Sequence, residues 1–479
     1  MTLVKNPVVI QPSRRTAAPR KVFALWQQTR FRLVMMGALI ALCALLAGGV
    51  AVNAYRSAYM LFQRIAEFYA IKVDAAEAAL QDIARTSQAT ADYTALTSDT
   101  PLFEAAVNDI FRNFNAYRGE MFILQSNLES TAERTAFTVA DTYTYSRFWR
   151  HVGNLIDGRT DLTLARREYL AADNNLRNRI IPALESLESE NFSLMAKAGN
   201  EAGSTLAGQT LLVVLTTGGL LALLAGVSFW LRGKVRRYVT PGVDGALFVA
   251  ALALALMFLG LAQLPGQISR MTQTAYYNIS SSSRVLVAGN LANRAESSAI
   301  IDVKRAGTWY EQFDTSVGDM EGHLCGAAGC LQQPFVTSSG QPNNALIDSA
   351  RKNATSQQTL PLIASVETLK ELQLLEAART SFLAYLKVHD QLVTALNAQQ
   401  IAQATELNTG FEDGESEALY RTFSQQIEAV QAINRITFDT IWAAQRTTLP
   451  TQQALYGVLA FGLIIVLTGF GVSHRFREL

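Results

Sequence analysis

Arginine interleaved with aromatic rings is the most chemically suggestive pattern in the chain. Between Phe111 and Arg159, the rings of Phe111, Phe114, Tyr117, Phe122, Tyr143, Tyr145, Phe148 and Trp149 alternate with Arg112, Arg118, Arg147, Arg150 and Arg159. A guanidinium fork held beside a ring can clamp a carboxylate or the acidic edge of a partner. Arg118, Arg147, Trp149 and Arg150 are therefore the candidate ligand or partner contacts. The plainer alternative is a cap in which the rings close a helical bundle and the arginines face water.

The second chemical feature is His323-Leu-Cys325-Gly-Ala-Ala-Gly-Cys330. In an oxidising compartment Cys325 and Cys330 should pair, and the glycines between them allow a tight loop. A soft-metal site using His323 with both thiols is the rival, but three close ligands without a fourth make a weak zinc pattern. We therefore expect a disulfide and no metal. Cys43 falls inside an apolar stretch and reads as a small core residue. The four histidines, His151, His323, His389 and His474, are scattered. There is no phosphate loop, no helix with two metal-spaced histidines and no Gly-x-Ser-x-Gly elbow. The residues thus give no catalytic set and no cofactor, and the expectation is a protein that is not an enzyme.

These residues must be positioned around four charge-free apolar stretches, 33–54, 210–231, 246–264 and 454–472. Each is about 20 residues long, the length that crosses a hydrocarbon core as helix. The segments between them alternate in charge. Residues 1–32 carry Lys5, Arg14, Arg15, Arg20, Lys21, Arg30 and Arg32, and the first acidic residue is Glu67. The turn 232–245 holds Arg232, Lys234, Arg236 and Arg237, and the tail 473–479 holds His474, Arg475 and Arg477. The long segments are acidic instead, with 15 basic against 20 acidic residues in 53–208 and 13 against 18 in 266–452. Basic short loops stay in the cytoplasm, so both termini should lie inside and both long segments outside. The first span reads as a retained anchor, because no small-residue cleavage pattern follows it. The formal net charge of +1 averages these opposed faces and offers nothing for nucleic-acid binding. The basic arm should sit against anionic lipid or dock a partner.

Both exterior segments, 55–209 and 265–453, read as helical, since proline is scarce and no alternating strand pattern persists. In the first, helices are expected over 53–97, 103–131 and 135–158, then from Asp161, with a break at Ser98–Pro101 and a kink at Pro182. In the second, they are expected over 266–314, 361–408 and 415–448, with a Cys-containing connector over 315–345. Phe423, Ile427, Val430, Asn434, Thr437, Ile441 and Ala444 space out a bundle seam in which Asn434 could set register. Phe382, Leu386, His389, Val393 and Leu396 form a second seam, with His389 as a satisfied core histidine. Gly218, Ala222 and Gly226 form a small-residue ridge for close helix approach, within the bundle or with a partner. The fold class expected is all-α: an integral membrane protein with four transmembrane helices and two extracytoplasmic helical bundles in tandem.

The stretch Ser381–Leu396, then Ala402-Gln-Ala404 and Phe423–Asn434, resembles the extracytoplasmic four-helix-bundle sensor domains of bacterial chemoreceptors and histidine kinases. Arg167-Glu-Tyr169-Leu and Pro182-Ala-Leu184-Glu-Ser-Leu187 carry the same pattern in the first half. The complete layout is similar to that of the GlnX-type membrane proteins of actinobacteria. That resemblance implies a relay in the bacterial plasma membrane between an extracytoplasmic solute-binding protein and a cytosolic Ser/Thr kinase. It lies in layout rather than motif and carries over no binding residue. The expected function is therefore a sensor or adaptor, read at the basic inner segments, and homo-oligomerisation is compatible with it. The alternative is a structural or assembly subunit of an envelope or transport complex. Transport by this chain alone is disfavoured, because the spans hold no buried charge.

Overall fold

A computed structural model describes residues 29–96, 101–158, 161–235, 241–327, 329–354, 360–410, 412 and 414–478. Helix dominates, and among the described residues the only strand-like feature is one antiparallel bridge between Val336 and Pro342. The chain divides into two compact units, one of residues up to Met60 with Ser204–Pro265 and Arg446 onward, the other of Leu61–Gly203 and Gly266–Gln445.

The first unit holds the apolar stretches. Four helices are long and apolar enough to cross a membrane, within Phe31–Ala95, Leu162–Gly233, Pro241–Ile301 and Ser416–His474. Glycines set their closest contacts. A Cβ added at Gly48 would stand 2.9 Å from the Gly457 carbonyl oxygen, and one at Gly242 would stand 2.5 Å from Gly471. These positions let backbones approach as small residues do between membrane helices. The ridge expected at Gly218, Ala222 and Gly226 makes no close approach within the chain, for no described atom lies within 4 Å of a Cβ built on Gly218 or Gly226. Leu42, Leu45, Leu215, Phe229, Phe248 and Val466 face outward, an apolar perimeter of the kind a bilayer covers.

The second unit contains both long polar segments. Its helices are α2 (Ala70–Ala95), which continues α1 (Thr29–Arg64), then α3 (Pro101–Gln125), α4 (Thr131–Tyr143), α5 (Trp149–Asp157) and α6 (Leu162–Asn175). Along the chain there follow α7 (Ile181–Val235), α8 (Pro241–Ser269), α9 (Tyr276–Ile301), α10 (Ala306–Cys325), α11 (Asn344–Ala354), α12 (Leu369–Asn397), α13 (Ile401–Thr409), α14 (Ser416–Gln452) and α15 (Phe461–Glu478), of which α15 and nearly all of α8 belong to the first unit, while α7 and α14 have residues in both. Local signals fix several ends. Asp161 caps α6 by accepting from the backbone of Thr163 and Leu164, and Ser130 with Glu133 forms a capping box on α4. Pro182 follows a π-turn, Leu176–Ile180, rather than a plain kink. Proline lacks the N–H that would bond four residues back, and the wider turn relieves the clash there. Several boundaries differ from the sequence reading. The helix expected over 103–131 ends at Gln125, and that expected from 361 begins only at Leu369. The helix expected over 266–314 breaks at Val303–Arg305 and resumes as α10 to Cys325, and that expected over 361–408 splits at Gln399, which adopts a positive φ of 59°. The break at Ser98–Thr100 lies outside the described residues.

Each segment keeps an apolar core, one around Ile110, Phe114, Tyr117, Phe148 and Leu184, the other around Phe313, Phe382, Tyr385, Phe423 and Ile427. The two segments nevertheless fall within one compact unit. Helix α9 is buried on nearly every face, although it is rich in Ser, Ala and Asn. Small side chains let α2, α10 and α14 pack close to it, and their polar atoms bond across both segments. Gly289 marks the closest approach, where an added Cβ would lie 2.8 Å from the Tyr420 ring. That ring is itself held by a hydrogen bond from its hydroxyl to the Leu286 carbonyl, 3.2 Å. Gly289→Ala should therefore lower stability by about 1–2 kcal/mol despite its gain in helix propensity, a loss that thermal denaturation would read.

Candidate functional site

The residues nominated by sequence are placed as follows. Trp149 opens α5 directly after a π-turn, Thr144–Phe148. The extra residue in that turn keeps both Thr144 and Phe148 buried, and Tyr117 bonds Thr144 at 3.0 Å. The Trp149 ring stacks on Phe114 with centroids 3.7 Å apart and meets Phe111 edge-on at 5.6 Å. The Arg118 charge stands near the Tyr145 hydroxyl and opposes the rise that burial gives it. Arg147 and Arg150 face solvent, so the four residues form an aromatic rim with outward arginines rather than a closed clamp. Arg159 lies outside the described residues. Cys325 and Cys330 pair as a disulfide, with Cα atoms 6.2 Å apart. The loop they close is pinned by a hydrogen bond from the Gly329 N–H to Glu321, 2.7 Å. Arg232 bonds Asp244 at 3.2 Å, and Ser228 bonds the same carboxylate at 2.6 Å. Arg236, Arg237, the Lys234 side chain and residues 1–28 lie outside what the structure describes.

A stronger site emerges where the four long helices end farthest in sequence from their apolar stretches. Ser297 of α9 donates to Asp92 of α2 at 2.5 Å and receives the Asn408 amide of α13 at 2.6 Å. Ser298 of α9 meets the Tyr169 hydroxyl of α6 at 2.5 Å, and Arg294 pairs with Asp173 beside it. Glu417 of α14 accepts from Gln88 at 3.0 Å and from Asn293 at 2.8 Å. Glu296, fully enclosed, accepts from the Tyr385 hydroxyl at 2.9 Å and the Ser416 hydroxyl at 2.8 Å, and meets His389 Nδ1 at 2.8 Å. His389 also stacks on Phe313, with centroids 3.5 Å apart, as a satisfied core histidine should.

Beside this cluster is a cavity of about 120 Å³ lined by Arg85, Gln88, Asp92, Asp109, Asn113, Thr409 and Glu417. Its charge is lopsided. Arg85 is engaged by Glu428 at 2.5 Å and Arg112 by Asp109 at 2.8 Å. Burial, reinforced by the charges of Glu296 and Asp109 and opposed by the bond from Ser297, pushes the Asp92 carboxyl up to about 7. Burial likewise lifts Glu417 to about 8, with Asp92 adding to the rise and Asn293 and Arg421 opposing it. Two carboxyls in one desolvated place resist joint ionisation. The arrangement can hold a proton in the neutral range. Among the described residues no three His, Cys, Asp or Glu side chains stand close enough together to hold a metal ion.

Sequence reasoning missed this cluster because its members are spread over more than 300 positions, and only His389 was singled out. The one legible signal was polar residues on every face of a helix that otherwise reads as core. No protein-family model matches the chain, and no curated protein or solved structure matches it either.

Proposed function

We propose that the chain is a multi-pass sensor or adaptor of the bacterial plasma membrane, with both termini cytoplasmic and the long segments outside. In this reading the two extracytoplasmic bundles, arranged in tandem and each with its own apolar core, act together on the spans. One observation supports the reading above others. Asp92 and Glu417 line one cavity, and each stands on a helix that continues into an apolar stretch long enough to span a membrane. Proton or ligand occupancy at the cavity would thus act directly on the first and fourth spans. The outward face bearing Arg118, Arg147, Trp149 and Arg150 would meet an extracytoplasmic solute-binding protein. The basic segments, including Arg232, Lys234, Arg236 and Arg237, would present the change to a cytosolic partner such as a Ser/Thr kinase.

Such coupling requires that the occupant prefer one of two arrangements of the spans, because equal affinity for both shifts nothing. With Cys43→Ser removing the native thiol, cysteines placed at Ala47 and Phe461 would report the approach of the first and fourth spans. Their crosslinking rate should change between acid and alkaline pH, and Asp92→Asn with Glu417→Gln should hold it at the acid value. A rate that ignores both pH and the substitutions would leave a docking or assembly subunit as the better reading.

A further inference from the structure

A second cleft carries a ligand chemistry of its own. It has a volume of about 510 Å³, within the usual range for small-molecule pockets, and runs between α7, α9 and α10. Glu188 forms its floor and is 1% exposed. One carboxylate oxygen accepts from Ser280 at 3.1 Å and from Arg284 at 3.0 Å. The other has no hydrogen-bond partner among the described residues, a costly state for a buried carboxylate.

The rim repeats this shortage of donors. Glu185 and Asp319 stand on opposite helices, and no ion pair to either is present among the described residues. Although both side chains reach solvent, partial desolvation in the cleft and the charge of Glu188 push Glu185 up, and partial desolvation pushes Asp319 up. Arg284, the cation in the lining, already faces Glu188. His323 adds no charge near neutrality, because burial and Arg284 hold it down to about 4. Leu80, Val287 and Leu291 supply an apolar wall beside these acids.

We propose that this cleft binds a small organic ammonium ion, its charged head between Glu185, Glu188 and Asp319 and its apolar body on Leu80, Val287 and Leu291. An ammonium has three donors and no acceptor, which answers a site with surplus acceptors and a single engaged cation. The volume suits a body of a few carbon–carbon bonds or one ring rather than a polymer. This site is separate from the cavity at Asp92 and Glu417 and does not depend on the relay reading.

The test is calorimetric titration of the full-length protein in lipid nanodiscs near neutral pH, with empty discs subtracted for partitioning. Phenethylamine should bind saturably at one site per chain, phenethyl alcohol about tenfold more weakly, and hydrocinnamate not at all. Glu185→Gln and Asp319→Asn, both at exposed positions, should each weaken the amine several-fold without moving the melting temperature. Ser189→Trp, which fills the cleft, should abolish binding, whereas Glu417→Gln in the other cavity should leave it unchanged. Equal binding of all three probes, or no saturable binding of the amine, overturns the proposal. Full affinity in the Glu185→Gln/Asp319→Asn double variant also overturns it, as would follow if Glu77, a buried acid that burial and the charge of Glu188 push well up, satisfies Glu188 with its own proton. Loss of amine binding in Glu417→Gln would move the site elsewhere and be equally fatal.

Discussion

Asp173→Ala should cost the folded chain about 3–5 kcal/mol, because it strands a buried guanidinium. Arg294 is 2% exposed and pairs with Asp173, which is 2% exposed in turn, across the join of the two long segments. The two sides of this pair are unequal. Asp173 also holds Arg177 at 2.8 Å, and Arg177 lies over the Trp309 ring at 5.3 Å. Arg294→Met therefore leaves Asp173 with a cation, while Asp173→Ala leaves Arg294 with none among its described ion pairs. The arginine substitution should accordingly cost less than the aspartate substitution. The double variant should recover part of the loss, since replacing a buried pair by apolar groups is often neutral. Chemical denaturation followed by tryptophan fluorescence reads all three. A loss below about 1 kcal/mol for Asp173→Ala would put the pair in the class of surface bridges, and the join would then rest on packing alone.

The same pair explains what was legible in the sequence and what was not. Features set by local chemistry could be read closely. The apolar stretches, the start of α6 at Asp161 and the seam through Phe423, Ile427, Val430 and Asn434 all depend on neighbours within a turn or two. Asn434 donates to Glu371 at 2.8 Å and receives the Asn278 amide at 2.9 Å, as a polar residue inside a seam should. Beyond Asn434 the buried position is Phe438 rather than Thr437. A straight helix drifts from a strict alternation of four and three, and the continued spacing hid that drift.

The join of the segments could not be read in this way. Helix α9 shows no amphipathic stripe because it has no solvent face, and its burial depends on small size rather than hydrophobicity. Ser280 to Ser283 would ordinarily mark a solvated surface, yet each is buried. The Arg and aromatic residues between Phe111 and Arg159 drew attention because they are close in sequence. The carboxyls Asp92 and Glu417 are far apart in the chain and meet only through the fold. Their signal was an unpaired acid on an otherwise core-like helix, which single positions do not reveal.

Those two carboxyls should make the native chain lose stability as pH rises, the reverse of the usual acid denaturation. In an unfolded chain both titrate near 4, whereas burial holds Asp92 at about 7 and Glu417 at about 8 in the fold. Between those limits the native state binds more protons than the unfolded state, so unfolding free energy falls with increasing pH. The contribution is intact below about pH 4, is lost progressively as pH climbs from there, and is gone once pH has passed about 7 for Asp92 and about 8 for Glu417. Glutamine at 417 copies the protonated acid and can still accept from Asn293 and Gln88. Glu417→Gln should therefore match the parent near pH 4 and exceed it by roughly 2–3 kcal/mol near pH 9, after allowance for partial solvent access. Asp92→Asn should act in the same direction with a smaller effect, because its carboxyl is displaced less. Together they should flatten the pH profile further, by less than their separate sums, since each charge raises the other. Melting curves of the full-length protein across this range are the measurement. If the parent and Glu417→Gln show the same slope, the cavity carries two ordinary carboxylates and cannot register protons in the neutral range. In that event a change in span crosslinking with pH would have to originate at another group.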